Sequence, residues 1–240
     1  TTKDIIVNGQ VVGHGGGSLY SNSVFGVGAL NSNTTGANNI AIGYAALNSN
    51  SNGGGNTAIG YESMYSNQFG SYNTAVGDSA LYANTIGNYN TAIGKLAGPT
   101  KPTFTNTTAI GYKASPAASN QVRIGNTSVI SIGGQVGWTI FSDERVKNNI
   151  QENVPGLSFI KALRPVTYHY NIAKENELLG VQNTDAKEAG SSDIEKINFT
   201  GLIAQEVDKA AKKIGYDFSG IDKTGPIMGL RYNDFIVPVI

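Results

Sequence analysis

The stretch Asn56-Thr57-Ala58-Ile59-Gly60-Tyr61 returns along the first half of the chain at a spacing of seventeen residues. Its glycine position is occupied by Gly26, Gly43, Gly60, Gly77, Gly94 and Gly111. Each of these glycines follows an apolar residue, and alanine or valine stands one place earlier. Asparagine opens the motif at Asn22, Asn39, Asn56, Asn73 and Asn90, and threonine replaces it at Thr107. Self-similarity at one fixed period is typical of a solenoid.

The repeat is too short for a helical hairpin, and its glycine and asparagine content disfavours helix. A second asparagine row (Asn33, Asn50, Asn67, Asn84) is followed three residues later by glycine each time. We therefore predict one β-coil per repeat, with two short strands and two turns, in which Asn and Gly adopt left-handed conformations. Six coils stacked about 4.8 Å apart would form a rod roughly 30 Å long. A disordered Gly-rich linker is the alternative, but disorder does not keep apolar residues in phase over six repeats.

The alanine and isoleucine rows occupy adjacent positions of the repeat. Because successive strand residues point to opposite faces, a single coil can bury only one of the two rows. We predict that another copy of the chain covers the second row, and that the Ala and Gly positions permit close approach.

The repeat resembles the head repeats of trimeric autotransporter adhesins and related phage fibres over residues 21–126. The resemblance implies a left-handed parallel β-roll that winds as a homotrimer. The segment Gln121-Val122-Arg123-Ile124-Gly125-Asn126 reads as a final, shortened coil.

Composition excludes several classes of function. The formal net charge is zero, no cysteine is present, and His14 and His169 are the only histidines. These features predict no nucleic-acid partner, no metal site and no cofactor. No apolar run reaches the length of a membrane span, so no membrane insertion is expected. The Thr-Thr-Lys start and the abrupt apolar end at Ile240 suggest a fragment or a processed product.

Outside the repeat, we predict three further regions. Residues 1–20 form a lead-in segment or edge strand around Ile5-Ile6-Val7. Residues 127–141 form a connector of one or two strands, in which apolar residues alternate with small ones. Residues 142–240 form an α+β domain. Within it we expect a helix over 155–163, a strand over 164–170, a loop or hairpin over 174–197, a strand-to-helix unit over 200–213 and a last helix capped by Asn233.

The junction Phe141-Ser142-Asp143-Glu144-Arg145-Val146-Lys147 places a serine five residues before a lysine. A neutral lysine can take the proton of a serine hydroxyl and so activate it as a nucleophile. The nearest carbonyl is that of Phe141, which makes the 141–142 peptide bond the natural target. The alternative is that Ser142 caps a helix whose first turn holds Asp143 and Glu144. On an ideal helix the two side chains would lie on different faces, so the dyad requires a turn.

Four segments together resemble the C-terminal intramolecular chaperone of phage tail spikes and endosialidases, which also occurs in myelin regulatory factor. They are Ser142-Asp143-Glu144-Arg145-Val146-Lys147, Leu163-Arg164-Pro165-Val166-Thr167-Tyr168, Gly201-Leu202-Ile203-Ala204-Gln205-Glu206-Val207 and Leu230-Arg231-Tyr232. The resemblance implies a domain that trimerises, templates the folding of the preceding fibre and releases itself by autocleavage. Carried over, Ser142 is the nucleophile, Lys147 its base and Phe141–Ser142 the cleaved bond, whereas Asp143 and Arg145 are structural. The helical tail expected after Ile240 is missing from the pattern.

The predicted function is a trimeric fibre or adhesin segment with a self-cleaving serine autoprotease that acts once on its own chain. Its expected place is a phage virion or the bacterial cell surface, with a host-surface receptor or glycan as partner. One alternative is the same fibre with a cleavage-dead chaperone. Another is a glycan depolymerase, which generally needs two carboxylates about 5–9.5 Å apart. Within the repeat, Glu62 and Asp78 are the only acids, and they occupy different phases of successive coils.

Overall fold

The computed structural model describes residues 4–181 and 191–239. The chain divides into two compact units. The first contains the residues up to Thr127 and a segment that begins at Ala173, and the second contains Ser128–Ile172 and the remaining C-terminal residues.

The first unit is a parallel β-solenoid of about six turns. Its strands are β1 (Ile5–Val7), β2 (Gln10–Gly13), β3 (Ser23–Gly26), β4 (Ile40–Ile42), β5 (Thr57–Ile59), β6 (Thr74–Val76), β7 (Thr91–Ile93), β8 (Thr108–Ile110) and β9 (Val122–Ile124). Strands β3 to β9 pair in parallel, and β1 and β2 form an antiparallel hairpin on β3. Each parallel step joins residues one repeat apart, except the last, in which Thr108 pairs with Val122. The solenoid, the edge strand at Ile5–Val7 and the shortened last coil are thus confirmed.

Each coil contains one strand rather than the predicted two. The second side of the coil still bonds to the next coil, as in Leu30 N–H to Ala46 O at 2.9 Å and Thr34 N–H to Ser51 O at 2.9 Å. Its backbone is interrupted by left-handed residues such as Ala45 (φ 52°) and Leu47 (φ 51°). Left-handed residues break the extended geometry that a strand requires, so this side remains a stack of turns.

The alanine row points into the coil. Ala41, Ala58, Ala75, Ala92 and Ala109 are fully buried, and the apolar row beside them (Phe25, Ile42, Ile59, Val76, Ile93, Ile110) faces outward. The prediction that the Ala and Gly positions permit close approach of a second copy is therefore wrong, whereas coverage of the outward row by another copy stays a prediction. Gly60 shows why these small residues are present: its φ is 136°, and a Cβ there would collide with the carbonyl oxygen of Gly77 in the next coil. The small residues permit close stacking of successive coils of one chain.

Two ladders of buried asparagine hold the coils in register. In one ladder, Asn39 N–H donates to Asn22 Oδ1 at 2.9 Å, and the same contact recurs along the row. In the other, Nδ2 of Asn50, Asn67 and Asn84 donates to the Oδ1 of the asparagine one coil earlier and to the carbonyl of the glycine three residues on. Buried amides need such partners, so the ladders replace part of an apolar core.

The second unit is built around a small aromatic core. Its helices are α1 (Leu157–Ile160), α3 (Ser191–Ile194) and α4 (Ala204–Lys213), while α2 (Ile172–Leu179) begins at its border. Its strands form two antiparallel pairs, β10 (Val166–Tyr168) with β11 (Phe199–Gly201) and β12 (Ile221–Asp222) with β13 (Gly229–Leu230). Phe159 on α1 packs edge-to-face on Phe218, with ring centroids 4.9 Å apart, and Val207 and Ala211 of α4 complete the core. The predicted strand-to-helix unit over 200–213 is confirmed.

Three predicted elements differ. Residues 127–141 contain no strand, and α2 and α3 lie where a loop or hairpin was expected, with residues 182–190 of that stretch outside the described residues. In α2, Ile172 and Asn176 are buried one turn apart, which gives the polar segment a helical inner face. The C-terminal segment forms two 3₁₀ turns, Tyr232–Phe235 and Val237–Val239, and Arg231 rather than Asn233 precedes the first.

Candidate functional site

The serine and lysine of the junction meet in the folded chain. Lys147 Nζ donates a hydrogen bond to Ser142 Oγ at 2.8 Å. A 3₁₀ turn over Glu144–Val146 brings them together, closed by Lys147 N–H donating to Glu144 O at 3.0 Å. The turn supplies the geometry that a regular helix could not.

Asp143 caps this turn. Its backbone is extended, and its Oδ1 accepts a hydrogen bond from Arg145 N–H at 2.9 Å. Ser142 is therefore not the capping residue, and the alternative interpretation of Ser142 as a helix cap is wrong. The sequence analysis did not predict this role for Asp143, although aspartate is one of the residues most favoured at the N-cap position.

Arg145 also closes on Asp143 through its side chain. Its Nε lies 2.9 Å from Oδ1 and its Nη2 lies 2.7 Å from Oδ2. The hydrogen bond from the Arg145 side chain, followed by that from its backbone, lowers the pKa of Asp143. The two side chains neutralise each other beside the dyad and fix the turn that holds it.

The site is open to solvent in the single chain. Ser142 and Lys147 are exposed, and the Phe141 side chain is 92% exposed. The scissile carbonyl predicted at Phe141 precedes Ser142 directly, so the hydroxyl needs no distant approach to reach it. Chemically, the arrangement provides a hydroxyl and an amine in hydrogen-bond contact, with water free to enter.

The other three segments of the motif converge on β11 and α4. Arg164, just before β10, forms an ion pair with Glu206 on α4. The hydrogen bond from Arg164 is the main cause of a lowered pKa at Glu206. Leu202 N–H donates to the Tyr232 hydroxyl at 3.0 Å, and a Cβ at Gly201 would collide with that hydroxyl. Residues far apart in sequence thus specify one local packing arrangement.

The two acids of the repeat, Glu62 and Asp78, interact with side chains of the repeat itself. Asp78 lies 3.2 Å from Lys95 and accepts a hydrogen bond from Ser79 at 2.7 Å. The Ser79 contact, followed by Lys95, lowers the pKa of Asp78. The Glu62 carboxylate raises the pKa of Tyr61, chiefly through a side-chain hydrogen bond. Asp78 is thus engaged in an ion pair.

Each of the two histidine side chains contacts a backbone carbonyl. His14 Nδ1 contacts Asn22 O at 2.8 Å, and His169 Nδ1 contacts Glu195 O at 2.9 Å. Across residues 4–181 and 191–239, no three His, Asp or Glu side chains gather as metal ligands would. No helix in this part of the chain combines the length and the apolar character of a membrane span.

Comparison with protein families matches residues 142–216 to the family described as the chaperone of endosialidase. A search of curated proteins finds no match to the chain, and a search of solved structures finds none either. The family match begins at Ser142, the residue that Lys147 contacts. A solenoid followed by this domain fits a fibre that carries a C-terminal chaperone. Residues 142–216 are therefore similar to the endosialidase chaperone family, and they follow a β-solenoid of about six turns.

Proposed function

We propose that the chain is a segment of a parallel homotrimeric fibre whose C-terminal domain templates its folding and then cuts itself off between Phe141 and Ser142. The observation that carries the proposal is the 2.8 Å contact from Lys147 Nζ to Ser142 Oγ at the first residue of the family match. The enzyme activity is thus a single turnover on the chain itself.

Cleavage would proceed through an ester. The neutral Lys147 amine takes the proton of the Ser142 hydroxyl, and Oγ attacks the Phe141 carbonyl carbon. The carbon–nitrogen bond then breaks as the Ser142 nitrogen takes up the proton, which leaves Phe141 esterified to Oγ. Water hydrolyses this ester. The N-terminal product ends in a Phe141 carboxylate, and the C-terminal product begins with a free Ser142 amine.

Assembly would control this chemistry. As an ammonium ion, Lys147 donates to Ser142 and cannot accept its proton. Water stabilises the ammonium ion, whereas removal from water favours the neutral amine. Both side chains are exposed in one chain, so neighbouring copies would have to supply the dry surroundings. Cleavage would then report correct assembly.

The chaperone domain would help the solenoid to form its folding nucleus. Its parallel coils depend on contacts between successive coils and, in the proposed trimer, on contacts between chains, which makes the folding nucleus entropically costly. A compact trimeric domain holds three chains together at one end and raises their effective concentration. After release, an unfolded fibre would have to find its register again without the template. The mature fibre would therefore be kinetically stable.

The fibre would stand on a phage virion or on the bacterial cell surface and contact a host-surface receptor or glycan. Exposed tyrosines stacked along the solenoid support this part of the proposal. Tyr44 stacks on Tyr61 with centroids 5.3 Å apart, and Tyr72 stacks on Tyr89 at 5.4 Å. Such rings present a large amphipathic contact area.

Mass spectrometry of freshly expressed protein tests the cleavage. We expect fragments 1–141 and 142–240 from the parent chain, and the intact mass from Ser142→Ala and Lys147→Ala. Lys147→Arg should also stay intact, because arginine does not lose its proton. Matched controls are Ser158→Ala and Lys161→Ala, which change an exposed serine and an exposed lysine of the same unit and should cleave like the parent.

Two results would contradict the proposal. A parent chain that keeps its intact mass for days in solution would leave only the cleavage-dead chaperone. Cleavage of Lys147→Arg at the parental rate would remove Lys147 from the role of base. Light scattering tests the assembly separately, and a stable folded monomer would contradict the homotrimer.

A further inference from the structure

Residues 130–140 alternate with a period of two. The even positions hold Ile130, Ile132, Gly134, Val136, Trp138 and Ile140, and the odd positions hold Ser131, Gly133, Gln135, Gly137 and Thr139. This is the pattern of a β-strand with one apolar face and one small, polar face. At about 3.3 Å per residue, such a strand would be roughly 35 Å long.

The single chain does not provide this strand with a partner. Between Ile124 and Val166, a range that the structure describes throughout, no strand forms. No backbone hydrogen bond joins residues 129–141 to any other described residue. Val136 and Trp138 are both 86% exposed, and Ile130, Ile132 and Ile140 are also largely exposed. Unpaired backbone and a contiguous apolar surface together mark an interaction site.

We propose that residues 129–141 form an inter-chain β-structure with the same segment of the other copies, with the even face turned inward. The absence of charged residues in this segment favours other copies of the same chain as its partner. No Asp, Glu, Lys or Arg stands between Arg123 and Asp143. In a symmetric assembly each side chain comes close to its own copies, so any charge would face a like charge. An uncharged strand avoids this repulsion, and a foreign partner would impose no such requirement.

This inference rests on the homotrimer of the proposed function and does not depend on self-cleavage. It also names the element that would order the cleavage site. Phe141 and Ser142 follow the segment directly, and the Phe141 side chain is almost fully exposed in one chain. Pairing of the three connectors would immobilise the Phe141 carbonyl next to the dyad.

The absence of cysteine permits a direct test. In a Ser142→Ala background, which keeps the chain whole, single cysteines are introduced at even positions (Ile130→Cys, Ile132→Cys, Val136→Cys, Ile140→Cys) and at odd positions (Ser131→Cys, Gln135→Cys, Thr139→Cys). Because each chain then holds one thiol, any disulfide must join two chains. After mild oxidation, we expect disulfide-linked dimers at even positions, with at most two of three chains linked, and several-fold less at odd positions.

Trp138 provides a second readout without altering the connector, because it is the only tryptophan. In the native trimer its emission should be blue-shifted and shielded from acrylamide, compared with the chain in denaturant. Light scattering on the same samples separates the outcomes. Even and odd cysteines that cross-link equally within a trimer, or a Trp138 that stays fully quenchable there, would overturn the inference and leave the proposed function standing. A monomer would overturn both.

Discussion

The side-chain amide of Asn67 donates from Nδ2 to Oδ1 of Asn50, one coil earlier, at 2.8 Å. The same nitrogen donates to Gly70 O at 3.0 Å, and Asn84 repeats both contacts one coil later. Each of these amides is therefore donor and acceptor at once, a role that an ionised carboxylate cannot fill because it only accepts hydrogen bonds.

Replacing one ladder amide by a carboxylate should destabilise the solenoid. Asn67→Asp keeps the shape of the side chain but removes its donors and places a buried anion against two acceptors, Asn50 Oδ1 and Gly70 O. A buried unsatisfied group costs about 1–3 kcal/mol, and more for a charge. We expect the free energy of unfolding at neutral pH to fall by at least about 2 kcal/mol.

Asn52→Asp is the matched control, because Asn52 is an exposed asparagine of the preceding coil. Denaturant unfolding followed by circular dichroism should show little change for it. Equal losses for the two variants would mean that the ladder contributes no more than the surface does.

Enlarging the alanine row should damage the coil itself. Ala58 and Ala75 are fully buried, and added volume in a packed interior costs about 1–3 kcal/mol. Ala58→Leu should therefore lower the melting temperature and the yield of native protein. Glu62→Gln, at a half-buried position two residues beyond Gly60, keeps the size of the side chain and should leave both near the parental values. Similar yields and melting curves for the two variants would contradict the inward assignment of alanine.

The outward apolar row should control oligomeric state. Ile59 is 37% exposed in one chain and stands in the middle of this row. In the proposed homotrimer, Ile59→Asp would bring three carboxylates onto apolar surfaces, and each would lose hydration without gaining a counter-ion. Size-exclusion chromatography with light scattering should show a shift from trimer to monomer. Gln68→Asp, on an exposed turn, is the control and should remain trimeric. A trimeric Ile59→Asp would locate the interface elsewhere.

Acid should weaken the C-terminal unit partly through Asp208. Lys212 Nζ lies 2.7 Å and Lys223 Nζ lies 2.6 Å from its carboxylate oxygens. The hydrogen bond from Lys212, followed by that from Lys223, lowers the pKa of Asp208 below its usual 3.8. Since the folded-state pKa is the lower one, the stabilisation is present above about pH 3.8 and is lost as pH falls through the folded value.

Asp208→Asn should accordingly reduce the stability of the unit at neutral pH and flatten its dependence on pH in the acid range. The measurement is denaturant unfolding at several pH values, followed by the helical circular dichroism signal. Asp217→Asn changes an exposed acid of the same unit and should keep the slope of the parent. If Asp208→Asn kept the parental dependence of stability on pH, the two lysine contacts of Asp208 would not be the cause of that dependence.

The period of the repeat was enough to predict the solenoid and its stacked coils, because every coil has to present the same residue types to its neighbours. The motif around β11 and α4 was also sufficient for the strand-to-helix unit and the C-terminal domain. The period could not say which apolar row was buried. That depends on left-handed residues such as Ala45 and Leu47, which turn the second side of the coil away from strand geometry and enclose Ala41 and Ala58.

At the candidate site, sequence alone indicated Ser142 and Lys147 but left the dyad and the helix cap as alternatives. Only the tertiary structure showed that Asp143 is the cap and that a 3₁₀ turn brings the two side chains to 2.8 Å. The physical reason is that a five-residue spacing is compatible with many separations, and only the backbone dihedral angles of the turn select one. The connector is the opposite case: its period of two predicts a strand, but a strand needs neighbours, and residues 127–141 form none with the described residues of one chain.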